Sequence, residues 1–314
     1  MFITVVGSFP VEFDKKTSVK DKFLNIFGQY DPYKSAIRNA VTYQLDAGVD
    51  VISDGQVRGD MVSSFTKHVQ GMKLDGNNTV IYSKIKNSTS NISIKDLNYA
   101  KSIMKEYYNG KIPENKGIKG IITGPSTIVH SSRIEGFYKN KNDAIIDLAK
   151  ILANEVRAME KHAKPKYIQI DEPFLSTGIV DFKTAREAID IIKKSTSLPL
   201  AVHVCGNLDD CFKELARLNA DILDFEFAGN DVNLEVLKEN IGSVKNKKIG
   251  FGCIDSSKHS VDSYEEVREL VREGIDIIGM ENIILDPDCG LRKSKAEMAF
   301  KKLEVMNSVR KIFT

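Results

Sequence analysis

The sequence predicts a single (β/α)8 TIM barrel of the α/β class, and three observations carry that prediction. Eight short runs rich in Ile and Val recur along the chain, amphipathic helical patterns fill the gaps, and no Gly-rich dinucleotide fingerprint follows the first run. Strands that alternate with helices specify a parallel sheet wrapped by helices. The competing arrangement, a doubly wound open sheet, is disfavoured by the missing fingerprint. The span 1–314 reads as one domain, with no repeat beyond the β/α alternation, no low-complexity tract and no Pro-rich linker.

In order, the expected strands are ITVVG (3–7), VDVISD (49–54), GIKGIIT (117–123), YIQID (167–171), PLAVHVC (199–205), DILDFEF (221–227), KKIGFGC (247–253) and NIILD (282–286). Short apolar runs of this kind suit parallel strands buried on both faces. The first helix, YKSAIRNAVTYQLDAG, closes on Gly48, a suitable C-cap. The helix expected over 142–163 spaces its apolar residues by three and four, with Asn142 or Asp143 as N-cap. DFKTAREAIDIIKKS, NLDDCFKELARLN, NLEVLKENI, SYEEVRELVREG and SKAEMAFKKLEVMNSVRKIF complete the helical set. One connection is unusually long. After the second strand, an insertion over about 60–116 contains two alternating runs around DGNN, the pattern of a β-hairpin. Such an insertion would cover the barrel mouth.

The composition excludes several function classes. Hydrophobic residues make up 42% and charged residues 28%, which supports a sizeable core and argues against disorder. Lys+Arg number 45 against 43 Asp+Glu, and no like-charge block stands out, so neither a nucleic-acid partner nor a membrane surface is expected. MFITVVGSFP lacks a basic n-region, and no run approaches the ~18 apolar residues of a membrane span, so the expected location is the cytoplasm. Four cysteines in 314 residues do not make a disulfide framework.

In a (β/α)8 barrel, chemistry sits at the C-terminal strand ends. Here those ends carry Ser8, Asp54 to Gln56, Thr123 to Ser126, Asp171, Glu172, His203, Cys205, Glu226, Asp255, Asp288 and Cys289. His203 and Cys205 lie two apart and so leave their strand on one face. With Glu226 after the next strand and Cys289 after the last, four N, S and O donors converge on one mouth. A thiolate and imidazole set of this kind favours Zn²⁺ as the cofactor. Glu226 strengthens the reading, because a carboxylate in LDFEFAG is costly to bury without a cation or hydrogen-bond partner. Cys211 reads as a core filler, and Cys253, at the end of the seventh strand, could border the site but has no evident role. His68, His130, His162 and His259 lack a nearby paired ligand and read as surface or outer residues, with His130 and His259 expected nearer the active site because each follows a strand end. Asp171 and Glu172 are strand neighbours, so one reaches the site while the other pairs elsewhere. The functional reading is a carboxylate that binds a substrate ammonium group; the structural alternative is a helix cap with an ion pair.

The ordered motifs VVGSFP, DGQVRGDMV, GPSTI, IQIDEP, HVCGN, FEF and DPDCGLR, spanning about residues 2 to 295, resemble the catalytic C-terminal domain of the cobalamin-independent methionine synthases. That resemblance implies a (β/α)8 barrel and methyl transfer to the thiol of L-homocysteine, giving L-methionine. It implies zinc ligands at His203, Cys205, Glu226 and Cys289, and homocysteine binding by Ser8 and Asp171. Gln56 matches a substrate-binding Glu of the family across a one-residue gap. His259 lies two residues beyond Ser257, which matches a family histidine that assists the folate donor. Asp171 and His259 are thus the expected catalytic residues. The chain also departs from folate-using relatives: it has no Trp, and Ser131 stands about where their folate-stacking Trp lies. In this it resembles the short archaeal-type enzymes, and the implied donor is a methylated corrinoid or corrinoid protein. Two alternatives stay open. One is zinc-dependent alkylation of another thiol such as coenzyme M. The other is a non-catalytic zinc-binding module, against which a Glu ligand at a barrel mouth argues.

Overall fold

The computed structural model describes residues 1–13, 30–88 and 91–314. Thr89 and Ser90, within the 60–116 segment, lie outside the described residues. In chain order the strands are β1 (Phe2–Ile3), β2 (Val51–Ile52), β3 (Met72–Asp75), β4 (Asn78–Ile81), β5 (Gly117–Ile118), β6 (Gly120–Thr123), β7 (Ser132–Ile134), β8 (Ile168–Asp171), β9 (Leu200–Val204), β10 (Ile222–Glu226), β11 (Lys248–Ile254) and β12 (Ile283–Pro287). The described α-helices are α1 (Tyr33–Asp46), α2 (Ser63–Thr66), α3 (Ile94–Tyr107), α4 (Pro125–His130), α5 (Lys141–His162), α6 (Phe182–Lys193), α7 (Phe212–Ala216), α8 (Val232–Asn240), α9 (Tyr264–Ile278) and α10 (Ala296–Phe313). None is long and apolar enough to cross a membrane.

A curled sheet runs β1-β12-β11-β10-β9-β8-β6, every pair parallel. Its two edges meet through the β2–β5 pair. Thr4 bridges Val51, and β5 continues through Lys119 into β6. The result is the (β/α)8 barrel. Beside it, β3 and β4 form an antiparallel hairpin turning at Gly76 and Asn77, and β7 adds to β4 in parallel.

Two expected strands, 3–7 and 49–54, are cut short to Phe2–Ile3 and Val51–Ile52. Side chains rather than a ladder satisfy the backbone there. Gln44 accepts from Ser53 N at 2.9 Å and donates to Ser53 O at 3.2 Å, while Ser53 Oγ donates to Gly7 O at 2.5 Å. The long helix starts one residue before the expected 142, and its cap is Asn140 rather than Asn142 or Asp143. The Asn140 side chain accepts from Asp143 N. NLDDCFKELARLN yields only Phe212–Ala216, because its first residues are spent in turns that begin with Asp209 N donating to Asn207 Oδ1 at 2.8 Å.

The barrel interior is layered. Phe2, Val51, Tyr167, Ala201, Ile222 and Ile284 pack as an apolar floor. One step up each strand, on the same inward face, come Thr4, Lys119, Gln169, His203, Asp224 and Asp286, all buried. Asp171, Cys205 and Glu226 follow at the mouth. Outward-facing Val202, Val204, Leu223 and Phe225 pack under the helices. The apolar character read from the strands belongs to the outward face and the floor.

Candidate metal centre and active site

The mouth opens into a cavity of about 960 Å³ lined by residues of the β1, β2, β8, β9, β11 and β12 loops, with Ser8, Gln56, Asp171, His203, Cys205, His259 and Cys289 among them. Every sequence-predicted site residue except Glu226 is therefore in one wall. Ligand atoms of His203, Cys205 and Cys289 lie within 4.8 Å of one another, the one cluster among the described residues that would hold a metal.

His203 is held by its strand. Its ladder neighbours are Asp171 on β8 and Asp224 on β10. Nδ1 lies 3.2 Å from Asp224 Oδ1, a charge-pairing distance, although neither ring nitrogen makes a hydrogen bond of good geometry. A buried imidazole nitrogen without a partner is costly, and the carboxylate behind Nδ1 turns Nε2 into the nitrogen available to a ligand. Burial opposes charge on His203, yet Asp224 holds it well above the ordinary histidine range. The bond from Cys205 and the presence of His203 push Cys289 down to about 4, while Cys205 rises. Two sulfurs and an imidazole, poised to exchange protons for a cation, fit Zn²⁺ by donor type.

Glu226 ends β10 half-buried, and its Oε1 takes a 3.5 Å contact from Asn230 Nδ2. Its carboxylate is not within the 4.8 Å cluster. The loop beside it is fastened to the Cys289 loop. Asp288 accepts from the backbone of Phe227, Ala228 and Gly229 at 2.9, 3.0 and 2.7 Å. Burial pushes Asp288 up to about 8 against these three donors. Its work is to hold the β10 and β12 loops together.

Ser8 is pinned to the same loop. Leu291 N donates to Ser8 O at 2.8 Å, and a Cβ on Gly290 would fall 2.0 Å from Ser8 Oγ, so any larger residue after Cys289 would push the Ser8 hydroxyl aside. Gln56 has a left-handed backbone, φ 45°, strained for a non-glycine residue. Asp54 Oδ1 accepts from its N–H at 2.9 Å, and Arg292 donates to its carbonyl. Its side-chain oxygen packs over Gly7, bringing it beside Ser8.

Asp171 and Glu172 do point apart. Asp171 faces the cavity, and burial pushes it up to about 6 despite His203, Gln169 and Lys119. Glu172 turns back under α4, accepting from Ser126 N at 2.9 Å, Thr127 N at 2.8 Å and Thr127 Oγ1 at 2.7 Å. It thereby takes up free N–H groups at that helix start. Glu172→Ala strands these buried donors and is expected to cost about 2–4 kcal/mol, read as a lowered unfolding midpoint in denaturant. Metal loading of the folded fraction should stay unchanged.

His259 is exposed on the rim, and His68 also lines the cavity, which its sequence position did not suggest. His130 is not in the wall and stacks on Phe174 at 6.1 Å. Cys211 is buried outside the cluster, as expected of a core filler, and Cys253 is buried and does not border the cavity. Sequence reasoning missed Lys119, Gln169, Asp224 and Asp286. For Gln169 and Asp224 the signal was present, as polar residues two before the strand-end carboxylates Asp171 and Glu226, the spacing that shares the inward face.

The catalytic domain of the cobalamin-independent synthases, as a family model, matches residues 1–311. A methionine synthase from Methanothermobacter thermautotrophicus is 46% identical over 308 residues, covering 98% of each chain. One from Methanocaldococcus jannaschii is 45% identical over 323 residues, covering 99% of each. Among solved structures, a B12-independent methionine synthase from Shewanella sp. W3-18-1 in complex with selenomethionine shares the fold with a TM-score of 0.81 at 20% identity, over 99% of this chain and 97% of that one. Barrel, mouth cluster and relatives agree, and the chain belongs to the cobalamin-independent methionine synthase family.

Proposed function

We propose that the protein methylates the thiol of L-homocysteine to form L-methionine, with Zn²⁺ held by His203, Cys205, Cys289 and Glu226. The observation that carries this reading is the cluster of buried His203 with half-buried Cys205 and Cys289 at the mouth of a cavity that also contains Asp171 and Ser8. A free thiol of this type titrates near 8.5, and Zn²⁺ would supply the Lewis acidity that makes it a thiolate at neutral pH. The chain's own residues do the rest. Asp171 binds the substrate ammonium, and Ser8 and Gln56 contact the amino-acid end. Fixing both ends of a short substrate supplies much of the rate through position. Two thiolates and a carboxylate give the site negative charge, which keeps a bound sulfur electron-rich.

Glu226 would complete the donor set from the strand next to His203. Glu226→Gln is expected to weaken zinc by roughly 10-fold or more, as even outer partners of a metal do when lost. Competition with a chelator measures it; unchanged affinity removes Glu226 from the ligand set.

The donor is a methylated corrinoid or corrinoid protein. The absence of Trp supports this, as does Ser131, which is exposed at the end of α4 and outside the cavity wall. His259, on the rim, would face the donor and assist its departure. Methyl transfer to homocysteine from methylcobalamin and from methyl-tetrahydrofolate, run side by side, tests the assignment. Turnover with methylcobalamin is the expected result. Turnover with the folate alone overturns the donor, and methylation of coenzyme M with homocysteine untouched overturns the acceptor.

A further inference from the structure

We propose that Gln169, anchored by Lys119, is a positioning residue that aims the Asp171 carboxylate at the substrate ammonium and so sets a preference for an amino-acid thiol over a thiol without the amine. The inference rests on the assignment of Asp171 to that ammonium.

The orientation of the Gln169 amide is fixed by what surrounds it. Val6 O, a carbonyl, only accepts, and it lies 2.8 Å from Gln169 Nε2. The amide nitrogen is therefore at that end. Its second hydrogen goes to Asp171 Oδ1 at 2.6 Å. The amide oxygen at the other end takes a bond from Lys119 Nζ at 2.5 Å. Gln169 and Lys119 are both fully buried. Turning the amide over would set Oε1 against Val6 O and against a carboxylate, while Nε2 faced an ammonium. All three contacts would then be repulsive.

The cost of this arrangement argues for a use. A buried ammonium is expensive without compensation. Lys119 sits over the Tyr167 ring, 5.6 Å from its centroid, amid the charges of Asp224, Asp286 and Asp171. An apolar residue would extend the floor of Tyr167, Ala201 and Ile222 at no such cost. What Lys119 adds is a donor that locks Gln169, and what Gln169 adds is a grip on one oxygen of Asp171. The other oxygen is left to the cavity. Without that grip Asp171 has a competing partner, since His203 is its ladder neighbour across β8–β9. Gln169 thus keeps the carboxylate for the substrate and leaves the imidazole for the metal.

The test compares binding of L-homocysteine and 4-mercaptobutanoate, which keeps the thiol and carboxylate but lacks the amine, to the zinc-loaded full chain by titration calorimetry. Wild type should prefer homocysteine. Gln169→Leu should keep its zinc and its affinity for 4-mercaptobutanoate, while homocysteine binds about tenfold more weakly, the scale of a lost charge-assisted hydrogen bond. Gln169→Glu, which sets an acceptor against Val6 O and Asp171, should do the same, and it carries the test if the Leu variant does not fold. Lys119→Met should shift the preference in the same direction. Equal weakening of both ligands, or an unchanged preference in a folded Gln169 variant, overturns the positioning role. Asp171→Asn separates the two levels. If it abolishes the preference while Gln169→Leu keeps it, the positioning inference fails and the Asp171 assignment stands. If Asp171→Asn also keeps the preference, the assignment fails first.

Discussion

Cys289→Ser is expected to lose bound zinc and methyl transfer together. The cluster offers only three close ligand atoms, two of them sulfur, so replacing one thiolate with a hydroxyl removes a principal donor. The loss should exceed the roughly 10- to 100-fold that removal of an outer hydrogen-bonding partner costs a metal site. The loop itself should persist. Asp288 ties it to the backbone of 227–229, and Leu291 N bonds Ser8 O, whatever stands at 289. Cys253→Ser is the control, because Cys253 is buried outside the cluster. Metal analysis of the purified variants measures both. Full zinc retention by Cys289→Ser would take Cys289 out of the site.

The sequence made the barrel legible because period-two and period-3.6 patterns are local. Strands such as ILDFE and LAVHV declare themselves through Leu, Val and Phe on the outward face. His203 and Cys205 were visible because polar types break an apolar strand, and Cys289 because it follows one. What the sequence could not show was pairing across the barrel. Nothing local joins Asp288 to the 227–229 backbone, or Lys119 to Gln169, since the partners come from different strands. The short second strand was hidden for the same reason. Gln44, on a helix, replaces the ladder at Ser53. Glu226 looked like a buried carboxylate in need of a cation, but it ends its strand half-buried beside Asn230.

Asp171→Asn should raise the KM for homocysteine by roughly 10- to 100-fold, the worth of one hydrogen bond to a charged group. The replacement keeps the shape and removes the charge proposed to bind the ammonium. Zinc content should not change, because Asp171 is outside the His203–Cys205–Cys289 cluster. Steady-state kinetics with saturating donor, beside metal analysis, checks both. A KM equal to wild type would mean that the ammonium is bound elsewhere in the cavity.

The central claim is that the metal held by His203, Cys205 and Cys289 exists to turn a substrate thiol into a thiolate. Net proton release on adding homocysteine at pH 7, to zinc-loaded and to zinc-stripped protein, measures that directly. With a free thiol pKa near 8.5, about one proton per homocysteine should appear with zinc and almost none without it. Tight homocysteine binding to the zinc-loaded protein with no proton released would contradict the account.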